Sequence, residues 1–141
     1  MENYQKMIDN IFETMPLIHK KLMAVVQSEG FHHNRMNVLF LIKNHASQPM
    51  KFYGKKLMMN KSNFSNLVED MIEEGLIKKM ENSDDRRQYL LMLTEQGEVF
   101  LENCRKSINQ KFWEQIKDMD PEELDKLNES FKEIRRIFES I

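Results

Sequence analysis

The sequence is poor in residues that interrupt a chain or cross-link it. It has one cysteine, Cys104, in 141 residues. A lone cysteine makes neither an internal disulfide nor a thiolate zinc cluster, so the chain reads as an intracellular protein of a reducing compartment. Four glycines and three prolines are few for this length. With plentiful Leu, Met, Glu and Lys, that scarcity favours long helices over a sheet-rich fold. No run of about 18 apolar residues occurs, so nothing predicts a membrane span. Met1-Glu2-Asn3-Tyr4-Gln5-Lys6 has no basic stretch followed by an apolar one. No signal peptide is expected, and a cytoplasmic location is. Motifs of catalysis are also missing: there is no Gly-rich phosphate loop, no nucleophile elbow and no helical His-Glu-x-x-His. Asp84-Asp85 could pass for a carboxylate pair, but the arginines beside it make a charge-balanced turn. No enzyme and no cofactor are expected.

What is present is a compact, charged chain. Charged residues make up 31% and apolar residues 40%, which suits one domain over residues 1–141. The formal net charge is −2, unevenly spread. Residues 1–50 and 51–93 each carry one excess positive charge, and residues 94–141 carry four excess negative ones. Residues 51–68 hold Lys51, Lys55, Lys56 and Lys61 and no acid. A basic face beside an acidic tail suits a protein that presents one side to phosphates.

Apolar spacing predicts the elements. Met7, Ile8, Ile11, Phe12, Met15, Ile18, Leu22, Val25 and Val26 mark a helix over about 5–28, with a kink or restart at Pro16 and a stop at Gly30. Asn34 is expected to cap a second helix over 35–45. Residues 46–49 read as a loop, 52–58 as a short helix and 61–74 as a longer one, ended by Gly75 in the left-handed conformation. Residues 76–81 and 88–93 read as a hairpin whose polar tip is 82–87. Thr94 caps a helix to about 117, and Asp120-Pro121-Glu122-Glu123 starts the last one. The order is helix, helix, helix-turn-helix, hairpin, helix, helix: a mainly α fold with a small β-hairpin wing. Terminal stripes of Ile8, Ile11 and Phe12, and of Leu124, Leu127, Phe131, Ile134 and Phe138, need burial. A partner subunit is the simple answer, so a homodimer is expected.

The helix after Asn60 carries the binding chemistry. Phe64, Leu67, Val68, Met71 and Ile72 form its inward face. Ser62, Asn63, Ser65 and Asn66 are left on the other side of its first turns. Asn pairs two-point with adenine and Ser serves either base edge, so this face suits a major groove of double-stranded DNA. Lys61, Lys51 and Lys55 are candidate phosphate contacts. On the wing, Arg86 and Arg87 can grip phosphates or enter a minor groove, while Asp84 and Asp85 can pair with an arginine and stiffen the tip.

The run Asp85-Arg86-Arg87-Gln88-Tyr89-Leu90-Leu91-Met92-Leu93-Thr94-Glu95-Gln96-Gly97 resembles the wing signature of the multiple-antibiotic-resistance regulator (MarR) family: Asp-Arg-Arg, then Leu-x-Leu-Thr, then Gly. Upstream, Lys61 to Val68 followed by Glu74-Gly75-Leu76-Ile77 is similar to that family's recognition helix and its exit. Phe31 to Leu41 is similar to its second helix. The resemblance implies a homodimer, with residues 1–30 and 98–141 as interleaved dimerisation helices and 31–97 as a winged helix-turn-helix lobe. It implies a pseudo-palindromic operator, and repression or activation relieved by a ligand or oxidant; a repressor released by a small molecule is the favoured form. Three residues depart from the family pattern. Met58 stands where the turn usually has Gly, and Asn66 and Asp70 stand where basic residues are common.

The effector is less legible. His19, Phe31, His32, His33, Phe40 and His45 are candidate ligand contacts. Glu29, His32, His33 and His45 can also be read as zinc ligands, although solvated histidines explain the pattern more simply and no metal is expected. Cys104, inside a helix, reads as a buried apolar residue more than as a peroxide sensor. The alternatives to a ligand-released regulator are a metal- or redox-responsive one, and a helical dimer that binds proteins instead of DNA.

Overall fold

The computed structural model describes residues 1–28 and 32–141. Glu29, Gly30 and Phe31, and the side chains of Ser28 and His33, lie outside the described residues, and so do the expected Gly30 cap and two of the candidate ligand contacts. The elements are α1 (Glu2–Ser28), α2 (His33–Asn44), β1 (Gln48–Pro49), α3 (Met50–Lys56), α4 (Lys61–Glu73), β2 (Ile77–Glu81), β3 (Tyr89–Leu93), α5 (Glu95–Ile116) and α6 (Pro121–Glu139). The chain divides into two compact units, Met1–Asn109 and Gln110–Ile141.

The first unit holds the winged helix-turn-helix. Its core is Val38, Leu39 and Ile42 from α2, Tyr53 from α3, Phe64, Val68 and Met71 from α4, Leu76 and Ile77, Leu91 and Leu93 from β3, and Leu101 from α5. Burial of such side chains is worth about 1.5–3 kcal/mol each before the cost of ordering the chain. The inward face expected of α4 is correct: Phe64, Val68 and Met71 are buried, with Leu67 and Ile72 packed at the margin.

Four local expectations need correction. Helix α1 is continuous through Pro16, so of the kink and the restart expected there the restart does not occur; the proline forfeits one backbone hydrogen bond of the helix. Helix α2 begins at His33, with His32 as its N-cap and no side-chain cap bond, so Asn34 lies in the first turn and caps nothing. The short helix is Met50–Lys56, two residues earlier than expected. Residues 46–49 are not all loop: Gln48–Pro49 forms β1, which pairs antiparallel with β3. The wing is therefore a three-stranded sheet in the order β1-β3-β2 rather than a lone hairpin. Two residues are too few to give a period, and Pro49 disguised them, although an edge strand tolerates proline.

The second unit contains the end of α5 and all of α6. Asp120 caps α6 by accepting a hydrogen bond from the Glu122 N–H at 2.9 Å, with Pro121 in the first turn as expected.

Candidate nucleic-acid interface

Helix α4 starts cleanly. The Asn60 side-chain oxygen accepts a 2.7 Å hydrogen bond from the Asn63 N–H, satisfying one of the free donors of the first turn. The preceding turn places Met58 in the left-handed region, with φ of 53°, so the departure from glycine there is accommodated by strained backbone. The Met58 side chain is 93% exposed.

Around this helix the predicted DNA contacts are sorted by position. Ser62, Asn63 and Asn66 are exposed on the first two turns of α4. Ser65 is half-buried and turns toward α3. There it joins Lys51, Lys55 and Lys61 in lining a cleft of 550 Å³, floored by Met50, Gly54, Met59 and Phe64 and bordered by Gln88. The three lysines meet here because Lys51 and Lys55 are one helical turn apart on α3 and Lys61 opens α4. Lys56 faces elsewhere, 5.3 Å over the Phe52 ring. Gln88 was not among the predicted contacts; its place directly after the paired arginines was the available signal.

Tyr53 holds α3 in place. It is fully buried. Its hydroxyl donates to the His45 carbonyl at 2.5 Å and accepts from the Gln48 N–H at 3.1 Å. Burial pushes the phenol above its usual range, opposed by the hydrogen bond from Gln48. The group stays protonated and keeps its donor role.

At the wing tip, the arginines do not pair with the adjacent aspartates. Arg86 lies 3.8 Å from the Glu81 carboxylate. Arg87 is exposed, and no acid among the described residues lies within ion-pair distance. Asp85 shapes the tip through the backbone instead. Its carboxylate accepts from the Arg87 N–H at 3.0 Å, and its carbonyl accepts from the Gln88 N–H at 3.1 Å. Asp84 makes no arginine pair; its N–H donates to the Asn82 side chain at 3.1 Å.

The Leu-x-Leu-Thr…Gly run has a structural purpose. Thr94 Oγ1 accepts from the Gly97 N–H at 2.9 Å, capping α5, and donates to the Gly75 carbonyl at 2.5 Å, tying α5 to the exit of α4. Gly75 has φ of 79°. At Gly97 a Cβ would sit 2.0 Å from the Leu76 carbonyl oxygen, so only glycine lets α5 start there.

Residues 31–89 match the model of the MarR family. Over this segment the chain is similar to the MarR family. The HTH-type transcriptional regulator YfiV of Bacillus subtilis (strain 168) is 24% identical over 106 residues, 75% of this chain and 66% of that regulator, so the match spans about two thirds of the relative's length. The apo form of wild-type MarR from E. coli superposes with a TM-score of 0.74 at 18% identity, over 92% of this chain and 94% of that one. The transcriptional repressor CouR, bound to a 23-mer DNA duplex, gives a TM-score of 0.69 at 17% identity, over 89% of each chain.

Of the described effector candidates, His19 lies on α1, and His32, Phe40 and His45 lie along α2, at its N-cap, within it and at its C-cap. His19 is exposed on α1 and His32 is exposed at the start of α2. Phe40 is half-exposed beneath Arg105, whose guanidinium is 5.9 Å from the ring, and His45 packs against Phe52 at 5.5 Å. Among the described residues, no three His, Cys, Asp or Glu side chains are grouped to hold a metal ion. Cys104 is buried, and burial pushes its thiol up; a neutral buried thiol is a poor peroxide target. No helix among the described residues is long and apolar enough to cross a membrane.

Proposed function

We propose that the protein is a sequence-specific, double-stranded DNA-binding transcriptional regulator, a cytoplasmic homodimer and not an enzyme. One observation carries this: the uncharged Ser62, Asn63 and Asn66 face of α4 stands beside a cleft edged by Lys51, Lys55 and Lys61. The first offers hydrogen bonds to base edges and the second offers charge to phosphates, the two contact types a specific DNA reader combines. Arg87 adds a cation at the wing tip, available to a minor groove or a phosphate. Asp85 stiffens that tip through its bonds to the Arg87 and Gln88 N–H groups, and the Asp84 N–H ties back to the Asn82 side chain.

The dimer buries the apolar residues left on the terminal helices. Phe12 of α1, and Leu127, Phe131, Ile134 and Phe138 of α6, are exposed in the single chain, and Ile8, Ile11 and Leu124 are half-buried. Monomeric surfaces rarely leave such continuous stripes uncovered. Residues 1–30 and 98–141 then serve as dimerisation helices around the winged lobe 31–97. Repression released by a small molecule is the regulatory form the family resemblance favours, with His19, His32, Phe40 and His45 as its candidate contacts.

The test is selection of duplexes from a random-sequence pool by the full chain, followed by footprinting on the winner. Two protected half-sites about 10 bp apart, centre to centre, are expected. Failure to enrich any duplex, or protection of one half-site alone, contradicts the proposal.

A further inference from the structure

The inner face of the wing changes character partway along. The register pairs Ile77 with Leu93, Lys79 with Leu91 and Glu81 with Tyr89. Ile77, Leu91 and Leu93 are buried, so alternation puts Lys79 and Tyr89 on that same face, where the apolar core runs out. A lysine there needs a partner, and it has two. Its ammonium donates to the Glu69 carboxylate on the third turn of α4, and lies 5.5 Å from the centroid of the Tyr89 ring. The Lys79 side chain is one third exposed. Helix, inner strand and outer strand are thus joined at one point, between the recognition helix and the wing.

We propose that Glu69, Lys79 and Tyr89 form a brace that fixes the wing against the recognition helix, and that these are positioning residues for DNA binding, not DNA contacts. The inference rests on the DNA-binding function proposed above. The leverage is geometric. Arg87 lies four residues from Leu91 toward the tip, at most about 13 Å away, so a rotation of about 10° at the brace moves it by up to about 2 Å. That displacement is comparable to the slack of a side chain reaching a phosphate.

The brace makes a prediction of unusual sign. Removing an acid from a DNA-facing lobe ordinarily tightens binding, because it lessens repulsion from phosphates. Glu69→Gln removes such an acid but also cuts the brace. We expect it to weaken binding roughly two- to fivefold, the scale of a partly exposed ion pair. The exchanged pair, Glu69→Lys with Lys79→Glu, should recover most of the loss. The loss should also shrink when Arg87→Ala is already present, because a wing without its contact has nothing left to misplace.

The experiment is fluorescence anisotropy of the full chain on a duplex selected by the unmodified protein, at a temperature well below unfolding of every variant. Amide hydrogen exchange of Met80 and Glu81 is measured on the free protein in parallel. The expected result is weaker binding with faster wing exchange for Glu69→Gln, and recovery of both in the exchanged pair. Binding that Glu69→Gln leaves unchanged or tightens overturns the brace alone. Unchanged wing exchange overturns it equally. If the unmodified protein selects no duplex at all, the DNA-binding function fails first and the brace's role fails with it.

Discussion

At the residue scale, positions with unusual backbone give the sharpest expectations. Met58 occupies a left-handed conformation that costs a side-chain-bearing residue about 1–2 kcal/mol, and its exposed side chain packs on little. Met58→Gly should therefore raise stability by roughly 0.5–1 kcal/mol, less than the full strain because glycine also loosens the unfolded chain. A denaturant midpoint that falls would contradict this. Gly97 is the opposite case. A Cβ 2.0 Å from the Leu76 carbonyl forces α5 away from the α4 exit, so Gly97→Ala should cost at least about 2 kcal/mol; a thermal melt coincident with the parent would show that α5 shifts freely. Asn63→Ala should weaken the selected duplex by about 1–3 kcal/mol and relax preference at one base pair if its amide reads a base. Equal loss on every sequence would reassign Asn63 to the backbone. Burial of Cys104 raises its thiol. The stability this contributes is complete below the ordinary thiol range and is lost as the pH rises from there through the raised folded value, since the unfolded chain ionises first.

At the element scale, much was legible and the omissions share a cause. Long periodic helices, the Asn60–Lys61 start of α4, the Gly75 exit and the Thr94 and Asp120 caps could be read because each follows from local chemistry. The two-residue β1 could not, since its identity lies entirely in its partner Leu90-Leu91. Tyr53 was hidden for the same reason: its hydroxyl bonds backbone groups five and eight residues away, and no motif marks them. In the wing, adjacency suggested Asp–Arg pairs, yet a tight turn points neighbouring side chains apart. Arg86 instead meets Glu81 across the turn. The brace needed the strand register before Lys79 could be placed on the inner face. The lysines of the cleft were all named from the sequence; that Ser65 and Gln88 join them depends on how α3, α4 and the wing pack.

At the scale of the whole molecule, the charge asymmetry and the apolar stripes divide the labour. The excess acid lies in residues 94–141 and the acid-free stretch in 51–68, so a near-neutral chain still presents a cationic face. The stripe on α6 is the part most open to test. Phe131→Glu places a charge in the proposed interface, leaving the winged core untouched. Sedimentation should shift from dimer toward monomer, with the melting temperature becoming less dependent on concentration. A variant that remains dimeric would move the interface elsewhere. The central claim concerns charge as much as shape. If Lys51, Lys55, Lys61 and Arg87 of each lobe neutralise phosphates, a dimer engages about eight, and the logarithm of the binding constant should fall against the logarithm of salt with a slope of about −7. Arg87→Ala, which removes one cation per lobe, should reduce that slope by about two. Binding to a selected duplex that is insensitive to salt, or a slope unmoved by Arg87→Ala and the three lysine changes together, would contradict the assignment of this face to DNA.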